Sequence, residues 1–196
     1  MTITSAKKWP AWPAWICATA GAALIGLAGA AELAMGRKPW GVGGEPGIWS
    51  GDIWSAHNSQ YMTDSYTFSH VTHGVLWYGL LALAAKRLPV GARFVLAVAL
   101  ECAWEVFENT DLVIQRYRAA TISLNYYGDS VINSMCDIVA AVAGFILAAM
   151  LPTRVTLAAV IVLEIALALW IRDGLLLNVL MLVRPIQAIR SWQLAK

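Results

Sequence analysis

Charge is sparse in this sequence. Asp, Glu, Lys and Arg make up only 13% of its 196 residues, where soluble domains carry about 25%. Hydrophobic residues reach 59% and mean hydropathy is +0.62, which excludes a soluble globular domain. The net charge of +2 comes from residues scattered at the ends of apolar runs. No basic stripe exists, so nucleic acid is excluded as a partner. Cysteine is scarce as well. Cys17, Cys102 and Cys136 sit in apolar segments without ligand-type spacing, and read as small buried hydrophobes, not as a disulfide or thiolate centre. There is no internal repeat and no low-complexity segment.

What is present is a series of long apolar runs. They predict an all-α, polytopic transmembrane helix bundle forming a single integral membrane domain over 1–196, with five spans at about 14–35, 66–85, 92–114, 129–151 and 155–171. The first run competes with a cleavable signal peptide, because Ala28-Gly29-Ala30 resembles a processing site. It is longer than the usual apolar core of a signal, which favours a retained anchor. The tail, 174–192, has too short an apolar run to span, and with Arg184, Pro185 and Arg190 it reads as an interfacial helix. Trp9, Trp12, Trp15, Trp40, Trp49, Trp54, Trp170 and Trp192 lie near span ends, as an aromatic belt would. A cytoplasmic N-terminus puts Lys7, Lys8, Lys86, Arg87, Arg93 and Arg154 inside and Arg37, Lys38, Arg116, Arg118 and Arg172 outside. That small excess favours this orientation.

The polar residues of the spans are not scattered. Glu101, Glu105 and Glu108, with Asn109, share one face of the third span. His70 and His73 share a face at the start of the second; Asp129, Asn133 and Asp137 open the fourth. Consecutive spans alternate in direction, so these groups meet in one half of the membrane, within roughly 6–15 Å of one interface. The far halves are apolar. An ionised side chain at the bilayer centre costs roughly 2.5–3.5 kcal/mol on an insertion scale, so these groups need partners, a cavity or protons.

Two imidazoles and several carboxylates at one depth are the donor set for one or two divalent metals, and suit Zn²⁺, Mn²⁺ or Fe. His70, His73, Glu105 and Glu108 are the candidate ligands. Together with Asp129 and Asp137 they are the candidate catalytic residues. Asn109, Arg116, Arg118 and Asn133 are the candidates for substrate binding. A metal-free alternative uses a glutamate as general base with His73 as partner. The lead expectation is a membrane-embedded hydrolase or transferase acting on a lipid or lipid-linked substrate from the outer half. Polar residues confined to one half argue against a transporter, which needs a midplane site and a route to both sides. The competing expectation is a non-catalytic accessory or assembly protein whose polar core fixes helix packing, with Glu101 and Asn133 as interhelical glue. Arg116 and Arg118 equally suit interfacial anchoring, and Glu164, Arg172 and Asp173 read as a local charge network.

Several runs carry a resemblance. His57-Asn58-Ser59-Gln60, Thr67-Phe68-Ser69-His70 with His73-Gly74, Trp104-Glu105-Val106-Phe107-Glu108-Asn109, Arg116 to Ser123 and Tyr126-Tyr127-Gly128-Asp129-Ser130 resemble the multi-pass bacterial inner-membrane proteins catalogued as domain of unknown function 2585, the UPF0314 family. The resemblance implies a bacterial cytoplasmic-membrane protein and brings no activity with it. More remotely, His73, Glu105, Arg118, Asp129 and Asn133 are similar to the pattern of VanZ-like membrane proteins, with Cys136 standing where that pattern has a glycine.

Overall fold

The computed structural model describes residues 12–195; Lys7, Lys8 and Trp9, which enter the charge balance and the aromatic belt above, lie outside them. Among the described residues the chain forms eight helices and one two-stranded parallel bridge. The helices are α1 (Ala14–Ala34), α2 (Thr67–Ala84), α3 (Val90–Glu108), α4 (Asp111–Ala120), α5 (Val131–Met150), α6 (Thr153–Trp170), α7 (Leu175–Val183) and α8 (Gln187–Leu194). The bridge pairs β1 (Trp49–Ser50) with β2 (Thr63–Asp64) inside the long α1–α2 loop. The expected all-α bundle is what forms.

Three helices, α1, α5 and α6, are long and apolar enough to cross a membrane. In α6 only Thr156 and Leu167 are buried, while Val155, Leu157, Ile161, Val162, Ile165 and Leu169 are exposed. An apolar face of that extent is not left in water by a soluble monomer; lipid resolves it. α2 and α3 have 18 and 19 residues and carry the polar groups of the bundle.

Two boundaries differ from the sequence expectation. The third apolar run does not continue to residue 114: α3 stops at Glu108 and Thr110 is extended (ψ 150°). The Asn109 amide donates to the Glu105 carbonyl at 3.2 Å and the Thr110 hydroxyl to the Phe107 carbonyl at 2.6 Å, so side chains satisfy the last carbonyls of α3. Val113 and Ile114 then belong to α4, which buries them. The tail is two short helices, because Pro185 cannot continue α7.

α2 and α5 make the central contact. They run in the same direction, as the pairs His70–Asp137 and Tyr78–Phe145 show. They cross at Gly74 and Gly144: a Cβ at Gly74 would stand 1.9 Å from the Ala141 carbonyl oxygen, and one at Gly144 2.0 Å from that of Val71. Only glycine admits such an approach, the small-residue device of membrane helix packing. Phe145 is fully buried beyond the crossing, edge-on to Tyr78 and Phe94 at 5.2 and 5.5 Å. α1 packs on α3 and α5, burying Cys17, Gly21, Ala28, Gly29 and Glu32. The polar groups thus gather where α1, α3 and α6 end and α2 and α5 begin.

Candidate functional site: a histidine–carboxylate cavity

At that end lies a cavity of about 630 Å³, lined among others by His70, His73, Glu108, Asp129 and Asp137. Its floor is organised by a residue that does not line it. Glu101 is 1% exposed, and its Oε1 accepts from Nδ1 of His70 and Nδ1 of His73, each at 2.9 Å. Its Oε2 accepts from the Trp77 indole at 2.6 Å. Three donors on one carboxylate fix the tautomer: a carboxylate only accepts, so each imidazole carries its hydrogen on Nδ1. Both histidines line the cavity and Glu101 does not, so the edges bearing Nε2 are turned towards it. This carboxylate–histidine pairing is how proteins orient imidazoles that bind metals.

Around His70 the carboxylates accumulate. Glu105 Oε1 is 3.1 Å from His70 Nδ1, but without hydrogen-bond geometry, since that N–H is directed at Glu101. Asp137 Oδ2 is 3.9 Å from His70 Nε2, and its Oδ1 has no hydrogen-bond partner. One atom each of His70, Glu105 and Glu108 lie within 4.8 Å of one another, and so do one each of His70, His73 and Glu101. Ligands of one first-row cation with bonds of about 2.0–2.2 Å stand about 3–4 Å apart. Groups of this kind could hold such a cation, and the His70, Glu105 and Glu108 group is the one that does not include the hydrogen-bonded Glu101. Tyr117 of α4 is within hydrogen-bonding range of Glu108, and burial, followed by the Glu108 charge, holds its hydroxyl well above the usual phenol range.

The remaining sequence candidates have other positions. Asp129 lines the cavity and its Oδ2 accepts from the Tyr126 hydroxyl at 2.8 Å. Asn109 is fully buried behind it: its Oδ1 accepts from the Asp129 backbone at 2.7 Å, and its amide reaches Asp129 Oδ2 and Ser134. Asn133 donates to the Tyr61 carbonyl at 3.0 Å, tying the long loop to α5. Arg116 gives Nε and Nη2 to the Leu182 carbonyl at the end of α7, at 2.8 and 2.5 Å. Arg118 covers the Tyr127 ring, 4.7 Å from its centroid. None of Asn109, Asn133, Arg116 and Arg118 lines the cavity. Glu164, Arg172 and Asp173 do not pair with one another. Glu164 accepts from the Leu176 backbone, Arg172 donates to the Trp192 carbonyl, and Asp173 accepts from Tyr66, Asn178 and Gln193.

Residues that sequence reasoning did not assign to the site also belong here. Glu101, expected as structural glue, orients both imidazoles. Asp64 lines the cavity while accepting from the backbones of Ser59, Tyr66 and Thr67, and burial raises its carboxyl above the usual range. The long loop folds onto the start of α5 through Gln60–Gly128 and Ser130–Gln60 bonds, both 2.9 Å. Arg37 and Lys38, just past α1, also line the cavity, where the Lys38 and Pro39 carbonyls accept from the Val131 and Ile132 backbones at 2.9 and 3.2 Å.

A family model described as "Protein of unknown function (DUF2585)" matches residues 32–195, which includes every residue of the cavity. A UPF0314 protein of Paracoccus denitrificans is 51% identical over 173 residues, 88% of this chain and 89% of its own. One of Rhizobium meliloti is 51% identical over 146 residues, 74% of each chain. One of Sphingopyxis alaskensis is 42% identical over 172 residues, 88% of this chain and 92% of its own. No solved structure matches. The chain belongs to the DUF2585 family, the UPF0314 proteins.

Proposed function

We propose that this chain is a multi-pass protein of the bacterial inner membrane whose cavity binds a divalent cation and catalyses hydrolysis or group transfer on a lipid or lipid-linked substrate. The observation that carries this reading is Glu101 holding two imidazoles by Nδ1 while Asp137 and Glu105 keep unpartnered oxygens beside His70. A buried unmatched acceptor costs about 1–3 kcal/mol, which a ligand or a proton at those oxygens would offset. His70 and His73, with Glu105, Glu108 and Asp137, are the residues that would hold the cation. Bound there, a divalent ion supplies Lewis acidity and a water that ionises near neutral pH. Glu101 and Trp77 keep the imidazoles in register, and Asn109 and Tyr126 orient Asp129, which is left to accept or return a proton at the cavity wall. The cavity opens in the membrane half that holds Arg37, Lys38, Arg116, Arg118 and Arg172, and the charge balance of the loops makes that half the outer one.

Purified protein incubated with a total bacterial lipid extract, followed by lipid mass spectrometry, tests this. The expected result is a lipid species consumed by wild type and spared both by a chelator and by His73→Ala. An unchanged lipid profile at high enzyme concentration with added Zn²⁺, Mn²⁺ or Fe²⁺ would contradict it.

A further inference from the structure

The cavity is polarised. Asp64, Glu108, Asp129 and Asp137 line its walls, and among the described residues the only Lys or Arg residues lining it are the neighbours Arg37 and Lys38, just past α1. Arg37 is built into place. Its Nη1 donates to the Tyr127 carbonyl at 2.7 Å, its Nη2 stands 3.8 Å from Asp111, and its side chain is 18% exposed. Its Nε is buried with no hydrogen-bond partner. Gly128, at φ +90°, makes room for it: a Cβ there would stand 2.4 Å from Nη1. Lys38 is exposed, with its ammonium against the Val42 carbonyl. The same wall also has apolar side chains, Ile53, Trp54, Leu124, Leu175, Val179 and Leu182. Three of these belong to α7, whose Leu176 and Val183 are exposed on the outside of the bundle.

Apart from a bound cation, Arg37 and Lys38 are the permanent positive charges that the described residues offer an anion in this cavity. Two adjacent cations match a multiply charged oxyanion such as phosphate better than a singly charged carboxylate. We propose that Arg37 and Lys38 form the head-group subsite for a phosphate-bearing amphiphile whose chain lies along α7. This rests on the reading of the cavity as a lipid-acting site and names its substrate class. It also assigns the anion-binding role to Arg37 and Lys38, and not to Arg116 and Arg118, whose side chains do not line the cavity.

Full-length protein in dodecyl maltoside is titrated with dodecyl phosphate, and binding is read from tryptophan fluorescence. Dodecanoate, dodecyltrimethylammonium and inorganic phosphate are titrated in parallel, and the metal content of each preparation is recorded. The expected result is saturable binding of dodecyl phosphate, weakened about tenfold by Lys38→Gln and by Arg37→Gln, as loss of one charge-assisted contact implies. Arg118→Gln, which leaves Arg37, Lys38 and the end of α7 in place, should bind as wild type. Arg37→Gln also removes the Tyr127 tie, so Lys38→Gln, which alters only an exposed side chain, decides if the former fails to fold. Wild-type affinity in Lys38→Gln overturns the subsite. Equal binding of dodecanoate or the cationic amphiphile overturns the phosphate assignment, and equal binding of inorganic phosphate overturns the amphiphile. Anion selectivity in protein that takes up no metal leaves the subsite standing and defeats the cation centre; metal uptake without anion selectivity does the reverse.

Discussion

Gly74 lies so close to Ala141 that no side chain fits between α2 and α5; a Cβ at position 74 would meet the Ala141 carbonyl oxygen at 1.9 Å. This crossing sets the depth at which His70 faces Asp137. Gly74→Ala and Gly144→Ala should each force the helices apart, at about 1–3 kcal/mol or more of overpacking strain. Thermal unfolding in detergent is the check, with a lowered midpoint expected for both. Gly79→Ala, where a Cβ meets nothing within 4 Å, should leave the midpoint unchanged or raise it.

Glu101 is a positioning residue. Glu101→Gln keeps the shape but sets an amide N–H against either the Trp77 indole or the histidine Nδ1–H groups, because an amide has one acceptor oxygen. The protein should still fold, and its metal affinity should drop about 10–100-fold, the usual effect of losing such an orienting partner. Competitive titration with a chromogenic chelator reads this directly. A purely structural Glu101 would lower stability and leave the affinity of the folded fraction untouched.

Asp173 couples the tail to pH. Burial, set against its hydrogen bonds, pushes its carboxyl up from 3.8 to about 6. A raised folded-state value means the stabilising contribution is complete below the unfolded value, near pH 4, and is lost as pH rises through about 6. For a shift of this size the loss is up to about 3 kcal/mol. Amide exchange over residues 172–195 should therefore speed up between pH 5 and 7.5 after correction for intrinsic rates. Asp173→Asn should abolish that dependence, and an equal pH response in the variant would contradict the assignment.

Arg116→Ala should release the end of α7 without touching the cavity floor. Its two bonds to the Leu182 carbonyl are worth about 1–3 kcal/mol together when a charged donor makes them. Faster amide exchange at residues 180–184, with metal content unchanged, is the expected result.

Much of this arrangement was legible in the sequence because spans alternate and helices repeat every 3.6 residues. His70 and His73 three apart, Glu105 and Glu108 three apart and Asp137 two turns into α5 are bound to meet once the helices are stacked. The role of Glu101 was hidden: depth alone marks it as costly, and only the fold brings Trp77 and both imidazoles to it. α4 was hidden because Leu112 to Ile114 extend the apolar run of α3, while the interruption comes from the side chains of Asn109 and Thr110 bonding back to α3. The break at Pro185 was readable from proline chemistry alone. Arg37 and Lys38 could not be placed, since what holds them at the cavity is a set of long-range bonds to the Tyr127 carbonyl and to the Val131 and Ile132 backbones. Arg116 and Arg118 lie closer in sequence to the acidic residues, yet their guanidinium groups are directed to a helix terminus and a tyrosine ring.

The central claim is that His70 and His73, oriented by Glu101, hold a divalent cation. The most direct test is metal content by mass spectrometry on detergent-purified wild type, beside His73→Ala and Glu108→Ala at equal yield. The prediction is one or two equivalents of a transition metal in wild type, lost in both variants. Folded wild type that carries no metal after growth with Zn²⁺, Mn²⁺ and Fe²⁺ supplied would contradict the claim.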